Sequence, residues 1–151
     1  MLVWRICSRK QRRFDGEGAR RYGGRWNHTG ISVVYTSGSL SLSVLELFVH
    51  VDINTAPCDL VAIQVDIPDT LTIETVKIES LPRDWRRYPG PEALKDIGTA
   101  WAERASSAIL AVPSAVIPEE RNYVLNPSHR DFKRIRPRKP VAFRFDPDMW
   151  K

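Results

Sequence analysis

Four short segments of the chain carry side chains whose types and spacing could do chemistry together. The first is Gly18-Ala19-Arg20-Arg21-Tyr22-Gly23-Gly24-Arg25-Trp26-Asn27. Paired glycines ahead of an arginine let the backbone turn tightly and approach a ligand closely. The Arg25 guanidinium is a rigid, planar fork of donors that suits phosphate oxygens. The segment is not a Walker loop, because no Lys-Ser/Thr follows. It is not a Rossmann fingerprint either, since its glycine spacing and its strand–turn–helix context are wrong. Taken alone, the local pattern also describes an ordinary turn with a surface arginine. The second segment runs from Tyr35 through Ser37 and Ser39 to Glu46. A carboxylate beside a glycosidic carbon stabilises the positive charge that develops as the bond breaks, or binds ribose hydroxyls. A phenol can cover an aromatic leaving group. The commoner fate of such a glutamate is a solvated helix face, although Glu46 sits within the dense apolar run Val44-Leu45-Glu46-Leu47-Phe48-Val49.

The third segment, Ala111-Val112-Pro113-Ser114-Ala115-Val116, delivers a lone serine past an apolar run. No Gly-x-Ser-x-Gly elbow surrounds Ser114, so a ligand-binding hydroxyl or a simple turn serine fits better than a hydrolase nucleophile. The fourth, Asn122-Tyr123-Val124-Leu125-Asn126-Pro127-Ser128-His129, spaces two amides ahead of a proline and a histidine, a fixed polar turn. His28, His50 and His129 lie far apart with no paired ligand spacing, so no metal is expected, and His50 reads as a structural hydrogen-bonding residue.

The elements that must position these residues follow from periodicity. Trp4–Ile6 reads as a strand, and the polar, glycine-rich residues 8–30 as a long ordered loop. Ile31–Thr36 is a second strand, and serines at 37–41 offer N-caps for a helix over Leu42–His50. On that helix Val44, Leu45, Phe48 and Val49 form the apolar stripe, with Ser43, Glu46 and His50 opposite. Further strands are expected at Asp59–Ile67, Leu71–Ile78, Ala108–Val112, Asn122–Leu125, Lys133–Arg136 and Val141–Phe145. Pro82–Pro91 is a loop holding Trp85, Arg86 and Arg87, and the longest helix runs from Pro91 to Ser107 on a Leu94/Ile97/Trp101/Ala105 stripe. Strands outnumber helices without alternating with them, which predicts a single α+β domain over residues 1–151, a compact mixed sheet with a few helices.

Composition narrows the classes. The apolar share of 42% and charged share of 27% are those of a globular protein. No apolar run is long enough to span a membrane, and the N-terminus lacks the apolar core of a signal peptide. Cys7 and Cys58 fit no metal motif and read as small buried thiols suited to the cytoplasm. The net charge of +5 is segregated: residues 1–30 hold eight basic residues and two acids, residues 130–144 seven and one, while residues 31–129 hold thirteen acids against seven basic residues. The two basic ends could meet and face a polyanion, a phosphate-bearing small molecule or an acidic partner.

Taken together and in order, Trp4-Arg5-Ile6, Gly23-Gly24-Arg25-Trp26-Asn27, Val34-Tyr35-Thr36-Ser37, Leu45-Glu46-Leu47-Phe48-Val49-His50, Val112-Pro113-Ser114-Ala115 and Asn122 to His129 resemble the RES-domain toxins across nearly the whole chain. The resemblance implies an ADP-ribosyltransferase-like fold and catalytic positions at Arg25, Tyr35, Glu46 and Ser114. It also implies an NAD site that includes Arg25, Trp26, Asn27, Tyr35, Ser37, Asn122 and Asn126. It implies depletion of NAD by hydrolysis or phosphorolysis at the nicotinamide–ribose bond. NAD is then a substrate, inorganic phosphate a co-substrate of the second route, and no cofactor or metal is required. It implies a cognate Xre-type helix-turn-helix antitoxin as partner, with nucleic acid reached only through that antitoxin. Two departures, Leu42-Ser43 where Leu-Ala is usual and Arg130 where a proline often follows the histidine, do not touch the implied chemistry. The doubled Arg20-Arg21 leaves open which second arginine meets phosphate. Two alternatives stand beside this expectation. One is ADP-ribosylation of a protein target by the same residues. The other is a basic nucleic-acid-binding or ribonuclease toxin, suggested by Trp4, Trp26, Phe132 and Phe143 among the basic ends and opposed by the acidic middle and the lack of a recognition helix.

Overall fold

A computed structural model describes residues 1–151. Its frame is one eight-stranded sheet in the order β4-β5-β6-β2-β1-β3-β7, with β8 also paired to β3. The strands are β1 Leu2–Ser8, β2 Val34–Ser37, β3 Leu60–Asp66, β4 Ile73–Thr75, β5 Ile109–Pro113, β6 Arg121–Leu125, β7 Arg136–Pro137 and β8 Val141–Ala142. Only β4 and β5 run parallel. Three helices accompany them: α1 Glu17–Tyr22, α2 Leu40–Phe48 and α3 Glu92–Arg104. The mixed α+β class is as the sequence predicts.

Side chains alternate across a strand, so the sheet register sorts the core into two faces. One face carries Val3, Val34, Val61, Ile63, Ile109 and Leu125. The other carries Leu110, Val112 and Val124, covered by α3 through Leu94 and Trp101 and by the indoles of Trp26 and Trp85. Tyr35 stands opposite Val124, and Ser37 opposite Asn122. Tyr35, Ser37 and Asn122 therefore project from this second face, which is where the candidate site forms. The first face holds the meeting of the basic ends: Phe14 and Phe132 stack with centroids 5.5 Å apart, which draws Arg12-Arg13 toward Lys133-Arg134.

Several local expectations are corrected. Residues 8–30 are not one loop. A 3-10 turn at Arg9–Gln11 and helix α1 interrupt them, α1 being tied by Glu17 to both Arg20 and Arg21. The strand expected at Lys133–Arg136 is mostly a 3-10 turn, Arg130–Arg134, because His129 Nδ1 accepts from the Asp131 N–H and starts a helical turn. Leu71–Ile78 contributes only the three residues of β4. Cys7 is buried as expected, but Cys58 is exposed in the loop ahead of β3.

The expected faces of α2 hold in part: Val44, Leu45 and Phe48 are half-buried and His50 is exposed, but Ser43 is buried and Val49 is exposed. Ser39 Oγ caps the helix by accepting from Leu42 N–H, and the residues that bury are Leu42 and Ser43. Val49 is 52% exposed. Phe48 of the apolar stripe packs against the C-terminal segment, through Phe145 and Trp150. Glu46 is thereby turned toward β5 and β6.

Helix α3 carries Gly98 where it crosses the loop bearing Trp26. An added Cβ would fall inside the Trp26 carbonyl. Alanine normally stabilises a helix interior relative to glycine by about 1 kcal/mol. Gly98→Ala is expected to reverse that sign and cost about 1–3 kcal/mol through forced separation of backbone from backbone, read as a lowered urea midpoint.

Candidate active site

The centre of the site is the Glu46 carboxylate. Ser114, at the end of β5, donates its hydroxyl to Glu46 Oε1 at 2.6 Å. Asn122, on β6, donates Nδ2 to the same oxygen at 2.6 Å. Ser114 is itself fully buried and accepts from the N–H groups of Val116 and Ile117 at 3.1 and 2.9 Å. With both acceptor positions of the hydroxyl filled, its single proton points at Glu46. Helix α2 and strands β5 and β6 thus meet on one oxygen atom, and Oε2 of Glu46 is left without a protein partner.

Arg25 lies across from this carboxylate. Burial lowers its pKa, while the Glu46 charge and the Tyr35 and Tyr88 phenols oppose that shift. Its Nη1 donates to the carbonyls of Trp85 and Arg87 at 2.9 and 3.0 Å. Both hydrogens of Nη1 are used, which leaves Nε and Nη2 as the open side of the fork. The bonded carbonyls belong to residues 82–90, a strap anchored by the buried Trp85. Arg86 fastens the same strap to the Ser114 turn by donating to the carbonyls of Ala115 and Val116. Tyr88 packs at a tilt against His50, just beyond the C-terminal end of α2, with centroids 4.8 Å apart. His50 therefore acts through its ring face; no side-chain hydrogen bond of the kind expected forms.

Tyr35 fixes the glycine loop. Its hydroxyl donates to Asn27 Oδ1 at 2.6 Å and accepts from Trp26 N–H at 3.0 Å. Gly23 has φ +70°, and a Cβ at Gly24 would lie 2.6 Å from the Tyr35 hydroxyl, so both glycines are required by this turn. Burial pushes the Tyr35 phenol above its ordinary range. The half-buried ring lines a cleft of about 290 Å³ whose wall also includes Ile6, Ser8, Val33 and Leu47.

Arg25, Tyr35, Glu46, Ser114 and Asn122 are thus gathered on one face, with Ser37 opposite Asn122 in the ladder. Three other expected NAD-binding residues are placed differently. The Trp26 indole is 2% exposed and belongs to the core under α3. Asn27 is fully buried and spends its amide on the carbonyls of Ala19, His28 and Ile31. Asn126 is 1% exposed, bonds the Ala102 carbonyl and accepts from Ser128 N–H, so it ties β6 to α3. Sequence reasoning missed Tyr88, which packs on His50 near Arg25, and Arg86 as a tether. The only hint was the crowding of Trp85, Arg86, Arg87 and Tyr88 in one loop. Arg20 and Arg21 are held by Glu17.

A mixed sheet with a carboxylate clamped between a helix and two strands, facing a half-buried guanidinium, defines a compact α+β domain with a preformed polar cluster. The RES domain model matches residues 2–146, and the chain belongs to that family. It is 38% identical over 152 residues to a protein of Yersinia enterocolitica named Toxin Res, covering 99% of both chains. It is 35% identical over 137 residues to the Prs ADP-ribosylating toxin of a Sphingobium species, covering 89% of this chain and 85% of that one. Among solved structures, a chain of the M. tuberculosis MbcT–MbcA toxin–antitoxin complex shares the fold, with TM-score 0.74 and 18% identity over 99% of this chain and 86% of the other.

Two outcomes test this geometry. Ser114→Ala leaves two backbone N–H groups and one carboxylate oxygen short of a partner, and is expected to cost about 1–3 kcal/mol in chemical denaturation. The Tyr35 phenol has a raised pKa in the fold, so its contribution to stability is complete below the ordinary tyrosine range near pH 10 and is lost as pH rises through the folded value. Stability should therefore fall above about pH 10 in the parent and less steeply in Tyr35→Phe, while ultraviolet difference titration should show one tyrosine ionising late.

Proposed function

We propose that this chain is the toxin of a toxin–antitoxin pair and that it cleaves NAD at the nicotinamide–ribose bond. The observation that carries the reading is the Glu46 carboxylate, held through one oxygen by Ser114 and Asn122 with the other oxygen free, beside the half-buried Arg25. The free oxygen is placed to stabilise the oxocarbenium-like charge that grows as the bond breaks, without reorganisation at that moment. Nicotinamide leaves as a neutral molecule, so no second carboxyl is needed as a strong acid. Arg25 turns Nε and Nη2 toward the pyrophosphate while Nη1 keeps the strap in place. Tyr35 presents its ring as the wall on which the nicotinamide ribose packs. The acceptor is water or inorganic phosphate, and NAD is consumed as a substrate.

The cognate partner in this reading is an Xre-type helix-turn-helix antitoxin that covers the cleft. The MbcT–MbcA complex, solved for a chain of the same fold, supports a toxin–antitoxin assembly. A second reading, transfer of ADP-ribose to a protein, is favoured by one observation, the name of the Sphingobium relative. The same residues serve both reactions, and only the acceptor differs.

Purified protein incubated with NAD, with and without phosphate, is expected to release free nicotinamide. Glu46→Ala removes a preorganised electrostatic contact of about 3–4 kcal/mol and should slow release on the order of a hundredfold or more. A folded Glu46→Ala protein that releases nicotinamide at the parental rate would overturn the assignment. Label from NAD appearing on protein, with little free ADP-ribose, would select the second reading.

A further inference from the structure

Six cations from the two ends of the chain have no charged partner. Arg9, Lys10, Arg12 and Arg13 lie on and just after the 3-10 turn that follows β1, and Lys133 and Arg134 on the 3-10 turn ahead of β7. All six are exposed. None takes part in an ion pair. Their side-chain hydrogen bonds go to neutral oxygens: Arg12 Nη1 donates to the Arg9 carbonyl at 3.2 Å, and Arg134 Nη2 to Thr70 Oγ1 at 2.7 Å. The acids beside them are used locally. Asp15 accepts from the Glu17 N–H at 3.0 Å, Asp59 from the Ser8 hydroxyl at 2.6 Å, and Asp131 lies 4.0 Å from His129 Nδ1. Arg20, Arg21, Arg87, Arg104 and Arg138, by contrast, each face a carboxylate.

One contact joins the two groups. Phe14 and Phe132 stack at an interplanar angle of 17°, and both pack against the core of the first sheet face. Arg12, Arg13, Lys133 and Arg134 therefore spring from backbone within two residues of the stacked rings. Like charges gathered without counter-charges repel one another and cost stability, a cost that a polyanion removes. Glu46, Ser114 and Asn122 meet on the other sheet face, so this patch is separate from the candidate site.

The surroundings of the patch select the polyanion. An acidic protein partner calls for an apolar centre within the polar rim. No large apolar side chain is exposed over residues 9–14 or 130–136: both phenylalanines are half-buried and Ile135 is buried. A nucleic-acid single strand is held by bases stacked on exposed aromatic rings, which are missing for the same reason. Duplex RNA is recognised through its 2′-hydroxyls as well as its phosphates, and Gln11 is the one uncharged polar side chain in either segment. The backbone of duplex DNA, with a charge every ~1.7 Å of axis, asks only for Arg and Lys. The two turns are three and five residues long and supply no α-helix to enter a groove, so the contact reads phosphate and not sequence.

We propose that this patch docks the phosphate backbone of double-stranded DNA, independently of sequence, while the Glu46 cluster on the other face stays uncovered. The family resemblance leads to nucleic acid only through an antitoxin; the patch gives the chain a contact of its own. The proposal stands apart from the NAD reading, and nicotinamide release neither supports nor sinks it.

The test is binding of the full chain to a labelled duplex of about 30 base pairs, followed by fluorescence anisotropy across a salt series. Neutralising about five phosphates predicts a slope of log affinity on log salt near −4, a loss of a few hundredfold between about 50 and about 200 mM salt. Arg12→Ala/Arg13→Ala and Lys133→Ala/Arg134→Ala each remove two phosphate contacts, and each should make the slope shallower by about 2. Lys95→Ala/Arg104→Ala alters net charge equally from α3, on the other face, and should leave the slope as it is. Any of three results overturns the proposal: a parent slope shallower than about −2, an unchanged slope in either folded patch variant, or an equal loss in the α3 variant. Tighter binding of a single strand or of duplex RNA of the same length overturns the choice of duplex DNA. Urea midpoints check folding; should one patch variant fail to fold the other decides, and should both fail the slope of the parent does.

Discussion

The site depends on where one proton points. The Ser114 hydroxyl accepts two backbone N–H groups from the turn that follows it, so its hydrogen has one direction left, toward Glu46. That bond ties the end of β5 to the middle of α2. Asn122 adds a donor from β6 to the same oxygen, and three separate segments are held by one atom. Hydrogen bonds to a charged acceptor are stronger and more directional than neutral ones. The carboxylate is therefore oriented before any ligand arrives, as electrostatic stabilisation of a developing cation requires.

The opposite wall is built by the same kind of economy. Arg25 gives Nη1 to the strap of residues 82–90 and leaves Nε and Nη2 without a protein partner. Arg86 then ties the strap to the carbonyls of the very turn whose N–H groups orient Ser114. A tilt of the strap is felt at the serine, and a shift of Arg25 is felt at the strap. Tyr35 performs the matching task beneath, locking the glycine turn through the Trp26 N–H and the Asn27 side chain.

What the sequence made legible follows from range. The main strands were readable from alternation, and the helix carrying Glu46 from its period and its serine cap. Which way α2 turns was not, because its apolar stripe could be covered equally by the sheet or by residues near the far end of the chain. Phe145 and Trp150 cover its Phe48, and no local pattern encodes that contact. All five of the gathered residues, Arg25, Tyr35, Glu46, Ser114 and Asn122, were singled out by chemical type and motif order. Trp26, Asn27 and Asn126 lie in the same motifs, yet they are buried and serve the frame. A motif records that a position matters; only burial and bonding partners divide support from contact. Tyr88 escaped notice because an aromatic residue in a proline-rich loop has no periodic context.

The strand order holds a consequence for biosynthesis. Strand β6 is the seam between two halves of the sheet, with β4 and β5 on one side and β2, β1 and β3 on the other. It is translated after β1 to β5 and all three helices. Until Arg121–Leu125 slots between its neighbours, Ser114 and Glu46 ride on parts of the sheet that no strand pairing joins. The cluster of Glu46, Ser114 and Asn122 is accordingly complete only when β6 has joined the sheet.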